Sequence, residues 1–140
     1  MVKTILVAVD LEDTALTERM LAVASDFAQL KGAKVTLLYV ATELPPDAAI
    51  QLPEDYRTRT SSNVSKQLGN LVGKLNLPSG AAKAAVRFGS IYREILAQAK
   101  ADKSDLIFVG CHKPDLADFL LGPNAASVVR HASCSVFVVR

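Results

Sequence analysis

Five short apolar runs, separated by stretches of helical periodicity, constrain this chain more than any other feature. Lys3 to Val9 (KTILVAV), Lys34 to Val40 (KVTLLYV), Ala82 to Phe88 (AKAAVRF), Asp105 to Gly110 (DLIFVG) and Ser135 to Arg140 (SVFVVR) read as strands. Several are apolar without strict alternation, the pattern of a strand in a parallel sheet covered on both faces. Between the first two, Leu16, Met20, Val23, Phe27 and Leu30 recur every three or four residues as one apolar helical stripe, and Gly32 is placed to end that helix. Gly89 and Ser90 supply a turn and an N-cap for a later helix, whose buried stripe is Ile91, Ile95, Leu96 and Ala99. Strands alternating with helices imply right-handed crossovers and an open parallel α/β sheet with helices on both faces.

The segment from Ala41 to about Tyr56 departs from this pattern, because Pro45, Pro46 and Pro53 break any regular element. It reads as a surface loop at the carboxyl edge of the sheet, where open α/β proteins bind ligands, or as a plain connector. From there to Leu77, the residues Val64, Leu68, Leu71, Val72 and Leu75 predict a helix with Pro78 just beyond it, weakened by Gly69 and Gly73. A length of 140 residues fits one domain spanning positions 1–140, with room for a single sizeable core. An apolar fraction of 50% with 21% charged residues belongs to a folding globular chain rather than a disordered one. The net charge of +2 creates no strong field for a phosphate backbone, so nucleic acid is not an expected partner. No segment approaches the roughly 18–20 apolar residues that span a bilayer, and the opening MVKTILVAVDLEDT lacks the form of a signal peptide. A cytoplasmic protein without membrane insertion is the expectation, in which Cys111 and Cys134 stay reduced.

Several chemistries lack their residues. The turn after the first strand, VDLEDT, contains no glycine, so the dinucleotide fingerprint is absent, and no P-loop sequence occurs. Asp10 and Asp13 invite comparison with a response-regulator receiver, yet the third strand ends in Phe88-Gly89-Ser90 without a phosphoacceptor aspartate. With only His112 and His131, and no C-x-x-C or H-E-x-x-H spacing, a resident zinc site lacks ligands; a metal would arrive with a nucleotide. No G-x-S-x-G elbow is present, and Cys111 reads as a buried thiol at a strand end rather than a nucleophile. What remains is Asp10 at the carboxyl end of the first strand and Gly110 at that of the fourth. If those strands are neighbours from which the chain winds outward in opposite directions, both residues open onto the crevice at the switch point. A carboxylate there suits ribose hydroxyls or an adenine amino group, and a helix beginning near Gly122 offers N–H groups to phosphates. Read alone, Asp10 serves equally as an N-cap of the first helix.

The opening KTILVAVD, the second-strand VTLLYV, the stretch RFGSIYREILAQAKADKSDLIFVG and above all the ending LLGPNAASVVRHASCSVFVVR resemble the universal stress protein family over the whole length. The resemblance implies a strand order of 3-2-1-4-5 and an adenine nucleotide, ATP or otherwise ADP or AMP, with magnesium as its accompanying metal. By position, Ala8, Val9 and Asp10 with Val40 would flank adenine and ribose. Val109, Gly110, His112 and Lys113 would form a first phosphate loop, and Gly122, Pro123, Asn124 and Ala125 a second. Members that bind ATP carry a glycine, two residues, a second glycine, about nine residues, then a glycine followed by serine or threonine. Here Lys113 stands where the second glycine is usual, the loop to Gly122 is one residue shorter, and Pro123 replaces the hydroxyl residue. The first two departures resemble a short-loop subgroup in which nucleotide binding is still implied. Pro123 removes an N–H and a hydroxyl from the cradle but suits the first helical position.

Two functional readings follow. One is an ATP-binding regulatory module of the stress response, with at most slow ATP hydrolysis, whose occupancy biases its surface toward a regulatory protein partner. The other is a dimeric stress-response scaffold that binds no nucleotide. The last strand is apolar on both faces, and an uncovered apolar edge invites pairing. The resemblance implies that it meets its own copy across a two-fold axis to form a homodimer.

Overall fold

The computed structural model describes residues 1–42, 52–111 and 121–140. Strands β1 (Thr4–Ala8), β2 (Lys34–Ala41), β3 (Ala82–Phe88), β4 (Leu106–Gly110) and β5 (Ser135–Val139) alternate with helices α1 (Thr14–Lys31), α2 (Tyr56–Lys74), α3 (Ile91–Asp102) and α4 (Pro123–His131). The strands form one parallel sheet in the order β3-β2-β1-β4-β5, the order implied by the family resemblance.

The expected burial on both faces holds for the central strands, where Ile5, Leu6 and Val7 of β1 and Ile107 and Phe108 of β4 are fully enclosed. Successive residues point to opposite faces, so each strand feeds two cores. Ile5, Val7, Val35, Leu37 and Phe108 pack under α1 and α2, against Leu16, Met20 and Leu68. Leu6, Leu38, Ile107 and Val109 pack under α3 and α4, against Ile95, Ala99, Ala125 and Val128. Phe108 stacks on Phe137 of the edge strand at a centroid separation of 4.9 Å, and Phe27 meets both rings edge-on. The edge strands β3 and β5 are only partly covered.

Three sequence expectations need correction. Leu30 is 79% exposed and lies off the buried stripe of α1, which is completed instead by Leu21, Ala24 and Ala28. The helix expected to run to Leu77 ends at Lys74, where Leu75 turns its side chain into the core and Asn76 takes a left-handed conformation at φ 50°. Asp105, expected to begin β4, precedes it, its carboxylate accepting from the N–H groups of Lys3 and Thr4 at 2.8 and 3.0 Å. The predicted end of α1 is as found: Gly32 sits at φ 62° and donates its N–H to the Ala28 carbonyl. Much of the proline-rich segment expected to be a surface loop lies outside the described residues.

Candidate functional site

The strands stop out of step at their carboxyl ends. Pairing of β1 with β4 ends at Val7 and Phe108, and with β2 at Ala8 and Leu38, followed by one last bond from the Val9 N–H to the Leu38 carbonyl at 2.9 Å. The second strand continues to Ala41. By the alternation of the ladder, Leu38 and Val40 present their N–H and C=O groups toward β1, so Val40 presents them on the side where β1 has already ended.

A cavity of about 290 Å³ opens at this step. Ala8, Val9 and Asp10 form its floor, Val40 one flank, Val109 and Gly110 the other, and Gly122, Pro123, Asn124 and Ala125 its far wall. The described residues that the sequence reading assigned to one crevice are thus brought together; His112 and Lys113 lie outside the described residues. Sequence reasoning missed Ile91 and Ile95, which add an apolar wall from α3, and Tyr39, Thr42 and Glu12 at the mouth. Ile91 and Ile95 were read only as core, because a stripe that lines a cavity and one that fills a core have the same period.

Asp10 does not cap α1. That role falls to Asp13, whose carboxylate accepts from the Leu16 N–H at 3.0 Å. The Asp10 carboxylate takes the N–H of Glu12 at 2.9 Å, and its carbonyl accepts from the Asp13 N–H at 3.3 Å, which folds the segment after β1 into a tight turn facing the cavity. Nearby, burial raises the Tyr39 hydroxyl above the usual phenolic range, and the carboxylates of Glu12 and Asp10 push it further. Tyr39 is therefore a neutral hydroxyl at neutral pH.

The two glycines of the site have different reasons. A Cβ on Gly110 would lie 2.5 Å from Leu16 Cδ2, so the fully packed α1 side chain occupies the space a side chain would need. At Gly122 a Cβ would meet nothing within 4 Å among the described residues, and its φ of −57° is open to any residue. Gly122 precedes Pro123 at the first position of α4, and the first intrahelical bond runs from the Ala126 N–H to the Gly122 carbonyl at 2.9 Å. The N–H groups of Asn124 and Ala125 precede that bond and have no acceptor within the helix, an arrangement suited to an anion. Cys111 is buried, its N–H bonded to the Val139 carbonyl at 2.8 Å. Among the described residues no group of three His, Cys, Asp or Glu side chains could hold a metal, and no helix is long and apolar enough to cross a membrane.

The site thus lies at the switch point of a 3-2-1-4-5 sheet. The model of the universal stress protein family matches residues 1–140, and the chain belongs to that family. Universal stress protein G of Salmonella typhimurium is 31% identical over 146 residues, covering 100% of both chains. Among solved structures, a universal stress protein in complex with cAMP superposes with a TM-score of 0.72 at 18% identity, covering 99% of this chain and 97% of that one. A universal stress protein from Archaeoglobus fulgidus in complex with dAMP superposes with a TM-score of 0.65 at 19% identity, covering 100% of both.

Proposed function

We propose that this chain is an ATP-binding regulatory protein of the stress response, holding the nucleotide in the crevice above β1 and β4. The observation that carries the reading is the convergence on one cavity of a carboxylate at Asp10, strand backbone left over at Val40 and the N-terminus of α4. Each of the three suits a different part of an adenine nucleotide. Val40 offers adjacent N–H and C=O groups, the donor and acceptor pair that an adenine edge requires, between the apolar side chains of Ala8, Ile91 and Ile95. Asp10 is an acceptor for ribose hydroxyls. The Asn124 and Ala125 N–H groups take phosphate oxygens, aided by the helix dipole. Two universal stress proteins of the same fold, with cAMP and with dAMP, lend the adenine class further support. Magnesium accompanies the phosphates as their counterion.

The alternative, a dimeric scaffold that binds no nucleotide, has Pro123 in its favour, which lines the cavity and lacks an N–H. In either reading the homodimer forms through β5. That strand is at the sheet edge and only partly covered, Val129 of the adjoining α4 is 46% exposed, and pairing would complete its ladder. Calorimetric titration with ATP and magnesium tests the nucleotide reading, which expects saturable heat at one site per chain; a flat titration overturns it in favour of the scaffold. Light scattering tests the pairing, and a strictly monomeric mass defeats it.

A further inference from the structure

Asp10 lies beyond the last paired residues of both ladders of β1, so the holding of its backbone falls to other groups. Thr17, in the first turns of α1, takes over that task. Its hydroxyl accepts from the Asp10 N–H at 3.1 Å and donates to the Asp10 carbonyl at 2.6 Å, while its own N–H is used within the helix start, bonded to the Asp13 carbonyl at 3.0 Å. A threonine hydroxyl on a helix ordinarily bonds back to a carbonyl three or four residues earlier. Here it reaches seven residues back, out of the helix and into the loop. Thr17 is also only 3% exposed, on a face otherwise given to Leu16, Met20 and Leu21, where a polar side chain is costly unless bonded.

We propose that Thr17 is a positioning residue for nucleotide binding: its hydroxyl bridges both backbone groups of Asp10 and so aims the Asp10 carboxylate at the ribose. This rests on the nucleotide reading above. It also gives α1 a double role, because the preceding residue, Leu16, fills the space beside Gly110. Consecutive side chains of one helix thus set both turns of the crevice.

The test is calorimetric titration with ATP of the wild type, Thr17→Val, Thr17→Ala and Thr17→Ser, each in the presence and absence of Asp10→Ala, with amide hydrogen exchange of the ligand-free proteins. Loss of the bridge should weaken ATP binding about five- to tenfold in Thr17→Val and Thr17→Ala, with Thr17→Ser restored to within about twofold of the wild type. Exchange at the Asp10 amide should accelerate in the first two and not in the third. In the Asp10→Ala background the Thr17 substitutions should leave the affinity unchanged, a result that a merely structural threonine would not give. An equal loss in both backgrounds, or affinity that holds while the Asp10 amide is deprotected, overturns the positioning role and leaves the nucleotide reading standing. A wild type that shows no saturable binding overturns both, whatever the exchange at Asp10.

Discussion

At the amino rim of the sheet the strand starts are bonded to one another; at the carboxyl rim β1 stops short of β2, and the Val40 backbone faces the gap. The Lys34 N–H meets the Lys3 carbonyl, the Asp105 N–H the Thr4 carbonyl and the Val35 N–H the Ala81 carbonyl, all between 2.8 and 2.9 Å. The Asp105 carboxylate then takes the N–H groups of Lys3 and Thr4. A hollow exists at this rim too, but the Asp102 carboxylate on its wall is already engaged by the Lys83 ammonium at 2.9 Å and the Gln98 amide at 3.0 Å. Burial works against the charge of Asp102, and the bonds from Gln98, Lys83 and Thr36 outweigh it, leaving its pKa lowered. At the other rim the ladders end at different heights, and Asp10, Val40 and the start of α4 face a shared cavity. The same sheet therefore uses its polar groups for stability at one end, while at the other they line a cavity.

Substitutions at the two rims should separate affinity from stability. Asp10→Ala should have the largest effect, weakening ATP binding about ten- to a hundredfold in a titration while leaving the melting temperature nearly unchanged. Next, Gly110→Ala should destabilise the fold by about 1–3 kcal/mol in urea denaturation, because the new methyl group must displace Leu16. Pro123→Ser restores an N–H and a hydroxyl to the start of α4, and should tighten ATP binding by a few-fold, up to about tenfold, by equilibrium dialysis.

The smallest effect belongs to the amino rim. The N–H groups of Lys3 and Thr4 hold the Asp105 carboxyl below the usual carboxylate range. The folded chain thus gives up that proton more readily than the unfolded chain. The resulting stabilisation is complete above about pH 4 and is lost as the pH falls through the lowered pKa. Asp105→Asn should flatten the acid limb of a plot of melting temperature against pH, with ATP affinity at neutral pH unaffected.

The architecture was readable in the sequence because burial of a parallel strand on both faces writes itself as continuous apolar runs, and five of these alternate with helical stripes. The crevice was readable only in part. Asp10 and Gly110 could be placed at strand ends, but their approach depends on β1 and β4 being neighbours, which the family resemblance supplied and local periodicity cannot. Asp10 read alone served equally as a cap of α1, and only the register of the turn gives that role to Asp13 and the bracing of Asp10 to Thr17. The need for glycine at Gly110 was anticipated from phosphate binding, whereas the packing of Leu16 supplies a reason of its own. Leu30 shows the converse error: it continues the spacing of three and four, but in the last turn of α1 the buried position belongs to Ala28.

Amide hydrogen exchange with and without saturating ATP and magnesium tests the contrast between the rims most directly. Binding in the crevice predicts slowed exchange at Val40, Asn124 and Ala125, with Lys34, Val35 and Asp105 at the amino rim unchanged. Protection confined to the amino rim, or no protection anywhere while heat of binding is observed, would contradict it.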